Sequence, residues 1–184
     1  MRSMSPVGRA VLLFAIQAAL VLSIAGKYLY ERMTCPRVWV RAAQYEPNAP
    51  LRGRYLAMQL AVDACGLPRD EAHHTAGYNK QFPGYWRWTA RLEAQGGKLV
   101  PVLASDNDRP EMTAELTMRG DRPCDRATLL QGVEYFISDT AQSPFPPKNG
   151  EELWVEVTVP KMGPVRPIQL AVSKDGVFTP LVLR

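Results

Sequence analysis

Proline is spread so densely along this chain that few stretches could form a long α-helix. Fifteen of the sixteen prolines lie between residues 36 and 180, and a proline ends or kinks a helix interior. The longest proline-free stretch, residues 7–35, lies at the N-terminus. Everything after it is expected to fold without long helices, so the core has to be built from β-structure.

The proline-rich region shows the period-two alternation of apolar and polar residues that is typical of half-buried β-strands. In YWRWTARLE, residues 85–93, the apolar face is Trp86, Trp88, Ala90 and Leu92. We predict nine such strands, at residues 38–42, 55–62, 85–93, 99–104, 113–118, 133–137, 153–159, 168–172 and 177–183.

Two of these strands predict in detail how side chains divide between the two faces. Even-numbered residues from Leu56 to Val62 are expected on one face, and odd-numbered residues from Tyr55 to Ala61 on the other. Odd-numbered residues from Leu153 to Val159 are expected in the core, with Glu156 and Thr158 outward.

The segments between the strands contain turn residues and one candidate helix. Gly96-Gly97 and residues 174–176 are predicted hairpin turns. Residues 124–131, CDRATLLQ, are predicted to form a short helix that Asp125 could cap. Residues 68–84 and 140–150 are predicted connections. The predicted fold is all-β: a single N-terminal transmembrane helix, then an antiparallel β-sandwich or open barrel of about nine strands with one short helix.

The N-terminal region contains an apolar segment that is nearly long enough to span a bilayer. Residues 10–26 carry no charge, and at about 1.5 Å per residue they cover roughly 25 Å. Tyr28 and Tyr30 follow where aromatic rings settle at a membrane interface. We therefore predict a membrane anchor at residues 1–30, with the lipid bilayer as the partner of residues 10–26, and an exported domain at 31–184.

A cleaved signal peptide is the alternative for this segment. Arg2 and Arg9 form a positively charged start, and Ser23 to Ala25 offer small residues at a suitable spacing for cleavage. Both alternatives export the region that follows. With an uncleaved segment, a ten-residue tail before the first apolar stretch is typical of a signal-anchor with its N-terminus inside.

The net charge of +4 carries little information about partners. Arg2 and Arg9 precede the first acidic residue, Glu31, so the remaining chain has 20 basic and 18 acidic residues and a net charge of +2. There is no basic stripe along the sequence, and we expect no nucleic-acid partner.

The three cysteines predict one disulfide. An exported domain lies in an oxidising compartment, and Cys35 is set apart by its position beside the membrane segment and Pro36. Cys65 and Cys124 are the predicted pair, and the role of Cys35 stays open. The cysteines are far apart in sequence and His73 and His74 are adjacent, so neither a metal nor a cofactor is predicted.

LRGRYLAMQL, residues 51–60, resembles the signature of the GDYXXLXY protein family. Gly53, Tyr55 and Met58 occupy signature positions, Met58 as a conservative replacement for leucine. Arg54 replaces the family's aspartate, and Leu60 replaces its final tyrosine. A role that needs a carboxylate at position 54 would therefore be absent from this chain.

Three further blocks carry the same resemblance, the last of them being WVEVTVPKMG and PIQLAV, which resemble a Val-rich strand and a Gly-bearing turn into a last hairpin. Glu46-Pro47 follows a short strand before the signature, and GVEYFISD resembles a later family strand. That strand contributes four further motif residues: Gly132, Glu134, Phe136 and Asp139. The family comprises bacterial membrane-anchored proteins of unassigned function, without established catalytic residues. The resemblance implies a bacterial inner-membrane protein with a single span, a periplasmic C-terminal domain and a membrane protein as partner. An outward Arg54 is further expected to pair with Glu134 or Asp139, if their strands are neighbours.

Two groups of side chains are candidates for function. Tyr78, Phe82, Tyr85 and Arg87 could form an aromatic and basic binding surface, and packing within a loop is the alternative. The carboxylates of Glu134, Asp139, Glu151 and Glu152 could serve an envelope hydrolase, and a solvated face is the alternative. We expect an accessory or binding module that is not an enzyme.

Overall fold

A computed structural model describes residues 5–44, 55–79, 82–138, 144, 147–148 and 150–182. The chain divides into two compact units, Met1–Cys35 and Pro36–Arg184. Within these described residues, the first unit contains one long helix and the second contains the strands.

Helix α1 spans Pro6–Thr34, and the predicted apolar segment forms its central part. Ser5 caps its start, since the Ser5 hydroxyl oxygen accepts a hydrogen bond from the Gly8 backbone N–H at 3.2 Å. The helix is long and apolar enough to cross a membrane, and none of its most apolar 18 residues is buried. A signal sequence has the same properties.

The second unit is an open antiparallel sheet of eleven strands, not a closed barrel. Its long path runs β11-β10-β9-β1-β2-β7-β6-β4-β3, while β5 pairs with β4 and β8 pairs with β2. Strand β5 also lies close to β1 and β2, which makes the bent sheet sandwich-like. The strands are β1 (Arg37–Gln44), β2 (Tyr55–Val62), β3 (His74–Asn79), β4 (Phe82–Gln95), β5 (Lys98–Leu103), β6 (Ala114–Arg119), β7 (Ala127–Leu129), β8 (Val133–Phe136), β9 (Glu151–Thr158), β10 (Arg166–Lys174) and β11 (Val177–Leu181).

Strand β2 joins the two halves of the sheet. One of its edges pairs with β1, and the other pairs with β8 along its first residues and with β7 at Ala61 and Val62. Leu56 and Met58 belong to the core cluster, and Tyr55 and Ala57 lie on the opposite face, as predicted. Tyr55 and Ala57 are nevertheless only 6% and 8% exposed, so the first half of β2 is buried on both faces.

The core lies between the two halves and consists of the predicted alternating positions. The largest side chains that are almost completely inaccessible to solvent are Trp88, Met58, Leu60, Leu116, Leu153, Leu170, Val62, Val155 and Val157. Thr158 is also buried, contrary to its predicted outward position. Its hydroxyl donates to the Arg166 carbonyl oxygen at 3.5 Å, because β10 covers this part of β9.

All nine predicted strands are present, but the predicted helix at residues 124–131 is wrong. A 3₁₀ turn at Cys124–Arg126 leads directly into β7. Ala127 and Leu129 are buried, and Thr128 donates a hydrogen bond to the Thr117 carbonyl oxygen on β6. Pairing with β6 and β2 thus overrides the local helical preference of this short segment.

The predicted connection at residues 68–84 is also partly wrong, because it contains β3 and the start of β4. Gly84 makes this pairing possible. Its φ of +88° favours glycine, and a Cβ atom there would lie 2.5 Å from the Thr75 carbonyl oxygen. A side chain at position 84 would push β3 away from β4.

Candidate functional site

Strand β4 has different neighbours along its two edges. Trp86 pairs with both β3 and β6, and Ala90 pairs with both β5 and β6. Since a residue has one partner on each edge, β3 and β5 share one edge of β4 and β6 takes the other. The shared edge is open between them, although the Ala104 N–H still donates to the Thr89 carbonyl oxygen at 3.0 Å.

This opening forms a cavity of about 400 Å³, which we call the notch. Its volume is within the range of small-ligand and peptide sites. Arg87, His73 and His74 are among the residues that line it, and no acidic residue is among its described lining. Arg87 is the lining residue that carries a formal positive charge, and it favours a negatively charged group there. Leu103, 39% exposed, adds an apolar contact.

Arg87 lines the notch and contacts Tyr85, and both belong to the predicted binding surface. The Arg87 guanidinium carbon lies 5.5 Å from the centre of the Tyr85 ring, a cation–π contact that orients the guanidinium. Both side chains are exposed. Tyr78 lies in β3 and Phe82 in β4, and their side chains are outside the described part of the structure.

The histidines of the notch have different partners. The His73 Nδ1 atom lies 2.5 Å from an Asp70 carboxylate oxygen, and this hydrogen bond holds the pKa of Asp70 below its usual value. The His74 ring centre lies 4.5 Å from that of Trp86. Trp86 and Trp88 stack nearly in parallel on the inner face, as the predicted core positions require.

A second cavity of about 720 Å³ adjoins the notch and shares Thr89 and Ala104 with it; we call it the groove. The acidic residues that line it are Asp106, Asp108 and Glu115. The groove also has an exposed apolar lining residue, Leu130, which is 42% exposed, as the notch has Leu103. The outer side of β4 thus has a basic cavity next to an acidic one.

Asp108 holds the loop that forms the wall of the groove. Its carboxylate accepts hydrogen bonds from the Ser105 N–H at 2.8 Å, the Ser105 hydroxyl at 3.1 Å and Arg91 at 3.2 Å. The Ser105 backbone N–H is the largest cause that lowers the pKa of Asp108, and the Ser105 hydroxyl and Arg91 add to it.

Replacing Asp108 with asparagine is expected to make folding stability less dependent on pH in the acidic range. A carboxyl group with a lowered pKa in the folded state stabilises the fold above its unfolded pKa. That contribution disappears as the pH falls through the lowered folded value. Thermal unfolding between pH 7 and pH 2 measures it. The difference between wild type and Asp108→Asn should be largest near neutrality and vanish at the acidic end. Asp106→Asn, at an exposed neighbour, is the control, and equal curves for both variants would contradict the assignment.

Among the described candidate carboxylates, Glu151 and Glu152 lie on β9 and Glu134 lies on β8, and these two strands do not pair with each other. Glu152 on β9 forms an ion pair with Arg41, and Glu151 accepts a hydrogen bond from the Lys148 N–H at 3.3 Å. Glu134 is exposed on β8, opposite Ala57. Asp139 is outside the described residues.

The resemblance blocks meet on neighbouring strands. Tyr55 lies opposite Phe136, with ring centres 6.4 Å apart, and Met58 lies opposite Val133. Met58 and Leu60 are completely buried, Gly132 precedes β8, and Phe136 is 73% exposed. Gly53, Arg54, Glu46 and Pro47 are outside the described residues, so the proposed pairing of Arg54 stays a prediction.

The predicted disulfide between Cys65 and Cys124 is present, with Cα atoms 4.8 Å apart, and Cys35 is a free thiol. Asp63 lies beside both cysteines, and such a trio could be mistaken for a metal site. The disulfide removes both thiolate ligands, and the Asp63 carboxylate accepts a hydrogen bond from the Cys65 N–H at 3.0 Å.

Sequence reasoning did not find the acidic side of the site or the aromatic residues on the other half of the sheet. Glu115 becomes relevant only because β6 pairs with β4. Trp39, Trp154 and Phe178 form a cluster on β1, β9 and β11, with ring centres 5.6 and 5.2 Å apart. Trp39 lies between the core residues Val38 and Val40, and Trp154 lies between the core residues Leu153 and Val155. This alternation in the sequence indicates that the two tryptophans lie on the face opposite to the core.

Comparison of the chain with protein-family models, with curated proteins and with solved structures finds no match.

Proposed function

We propose that this protein is a bacterial inner-membrane accessory module, held by one uncleaved helix, whose periplasmic β-domain binds another envelope protein. The resemblance to the GDYXXLXY proteins is part of this proposal. The observation that carries it is a long, unburied apolar helix followed by a disulfide-linked domain. Disulfides persist in exported domains and are rare in the reducing cytoplasm of mesophiles.

The shape and polarity of the β4 surface support binding. Its two adjoining cavities are open, have opposite charge, and include two exposed leucines. The candidate carboxylates favour catalysis less, because Glu152 is engaged with Arg41 and Glu134 lies on a strand that does not pair with β9.

Intact mass and thiol mapping of the membrane-extracted protein test the anchor and the compartment together. We expect the full-length mass, a Cys65–Cys124 linkage and one alkylatable thiol at Cys35. Blocking free thiols in cells before extraction prevents disulfide formation during purification. A Cys35→Ser variant is the matched control and should show no alkylatable thiol.

Two results would contradict the proposal. A chain that begins near Gly26 would mean a domain released after signal-peptide cleavage, and the partner would then be sought among soluble ligands. Three alkylatable thiols would place the domain in the cytoplasm.

A further inference from the structure

We propose that the notch and the groove together, the β4 cleft, bind an extended partner segment that carries an acidic residue and, two positions away, a basic residue. This inference rests on the binding role proposed above and specifies its surface and the chemistry of the partner. The acidic side chain enters the notch at Arg87, and the basic side chain enters the groove at Glu115 and Asp106.

The first argument is the placement of the charges. Thr89 lies directly opposite Glu115, and Arg87 lies opposite Thr117, so Arg87 and Glu115 are diagonal neighbours on one face of β4 and β6. Diagonal positions in an antiparallel pair are about 7–8 Å apart. Long side chains can reach each other at that spacing, and opposite charges that do so stabilise the sheet.

Arg87 and Glu115 do not form such a pair. The Arg87 guanidinium lies against the Tyr85 ring, and within the described residues neither Arg87 nor Glu115 has an ion-pair partner. Nearby charges on the same face behave differently: Arg91 pairs with Asp108, and Arg119 pairs with Asp121. The cleft therefore presents one positive and one negative group that are both available to a partner.

The second argument is the match in spacing to an extended chain. Side chains at positions i and i+2 of a β-strand point to the same side, roughly 6.6–6.8 Å apart. An acid-x-base segment can therefore reach Arg87 and Glu115 at once. Segments with two acids or two bases would meet a like charge at one of the two positions, which is how charge arrangements reject wrong partners.

The third argument is apolar surface in the groove. Leu130 is 42% exposed, and its backbone N–H donates to the Glu115 carbonyl oxygen at 2.8 Å, so it lies beside Glu115. A partner with an apolar residue beyond its basic residue would cover Leu130. The full pattern is acid-x-base-x-apolar.

Peptide binding to the full-length protein in nanodiscs tests this pattern. The probe is fluorescent Leu-Ser-Glu-Ser-Lys-Ser-Leu, and its matched controls carry Glu-Ser-Glu or Lys-Ser-Lys in the centre. At low ionic strength, where exposed charges are least screened, wild type should bind the mixed peptide about five- to tenfold more tightly than either control.

Reversing the charge at position 87 or at position 115 should change which of the three peptides binds most tightly, and the two changes should favour different peptides. Arg87→Glu leaves two negative groups, so the Lys-Ser-Lys peptide should bind best. Glu115→Lys combined with Asp106→Asn removes both negative groups that receive the basic side chain and leaves two positive groups, so the Glu-Ser-Glu peptide should bind best. Arg126→Glu and Glu134→Lys, both at exposed positions outside the cleft, should keep the wild-type preference. Thermal unfolding confirms that each variant is folded. An equal affinity of wild type for all three peptides, or one order of affinity in all variants, would overturn the proposal.

Photo-crosslinking in cells distinguishes two cases: the domain binds a partner at a surface other than the β4 cleft, or the domain binds no partner. A photoreactive residue at Thr117 lies on the face of the cleft, and one at Phe178 lies in the other half of the sheet. Adducts at position 117 that disappear with Arg87→Glu support the cleft. Adducts only at position 178 overturn the cleft and leave the binding role in place. The absence of adducts at both positions counts against the binding role itself.

Discussion

Replacing Trp88 with alanine is expected to lower the free energy of unfolding of the β-domain by about 3–5 kcal/mol. Trp88 is 1% exposed, lies opposite the buried Leu116 and stacks on Trp86. Its indole N–H also donates to the Pro68 carbonyl oxygen at 2.8 Å and so holds the segment before β3 against the core. In a domain of this size the melting temperature should fall by roughly 6–20 °C.

Tyr85→Ala is the matched control, because it removes an aromatic ring from the outer face of the same strand. Tyr85 is 36% exposed, and its contact with Arg87 is worth about 0.5–1 kcal/mol. Trp88→Phe should have an intermediate effect, since it keeps most of the apolar volume but removes the N–H donor. Equal melting temperatures for Trp88→Ala and Tyr85→Ala would show that the space around Trp88 is not the close-packed core described here.

Removing the disulfide is the other substitution with a large expected effect. Cys65 and Cys124 are 59 residues apart, and closing a loop of that length stabilises a fold by about 4 kcal/mol in the chain-entropy model. The disulfide also extends the short pairing of β2 with β7, where the Ala64 N–H donates to the Cys124 carbonyl oxygen at 2.9 Å. The Cys65→Ser/Cys124→Ser double variant should therefore unfold at a clearly lower denaturant concentration.

The experiment is denaturant unfolding of the oxidised protein and of the double variant. Cys35→Ser is the control, and its midpoint should equal that of wild type. Reduction of wild type should lower its midpoint to that of the double variant. If the double variant keeps the wild-type midpoint, the denatured chain gains little conformational entropy when the cross-link is removed. That result would contradict the chain-entropy argument.

The strands that alternate strictly were predictable because their burial pattern is local. Within each of two short stretches, residues 86–92 and 153–159, the alternation of apolar and polar residues indicates which face of the strand packs against the core. Residues 124–131 and 74–79 were not predictable in this way. The first is a three-residue strand after a 3₁₀ turn, and the second, HTAGYN, has no apolar alternation. The first is a strand because β2, which is distant in sequence, and β6 supply its hydrogen bonds, and the second is a strand because it pairs with β4 in a hairpin.

The same distinction applies to the candidate site. Tyr85 and Arg87 were predicted together because alternation places residues i and i+2 of one strand on one face. Glu115 lies 28 positions beyond Arg87, and nothing in its own surroundings indicates that it lies beside the notch. That position follows from the pairing of Thr89 with Glu115.

The sequence by itself determined the apolar helix, the all-β character and the cysteine pair, because each depends on residue type, proline spacing or compartment. Only the tertiary structure decided that β2 is shared between two halves of the sheet, that β3 and β5 leave an opening along β4, and that a basic and an acidic cavity meet at Thr89. Strand order and register are set by the sum of many long-range contacts, so no single stretch of sequence contains them.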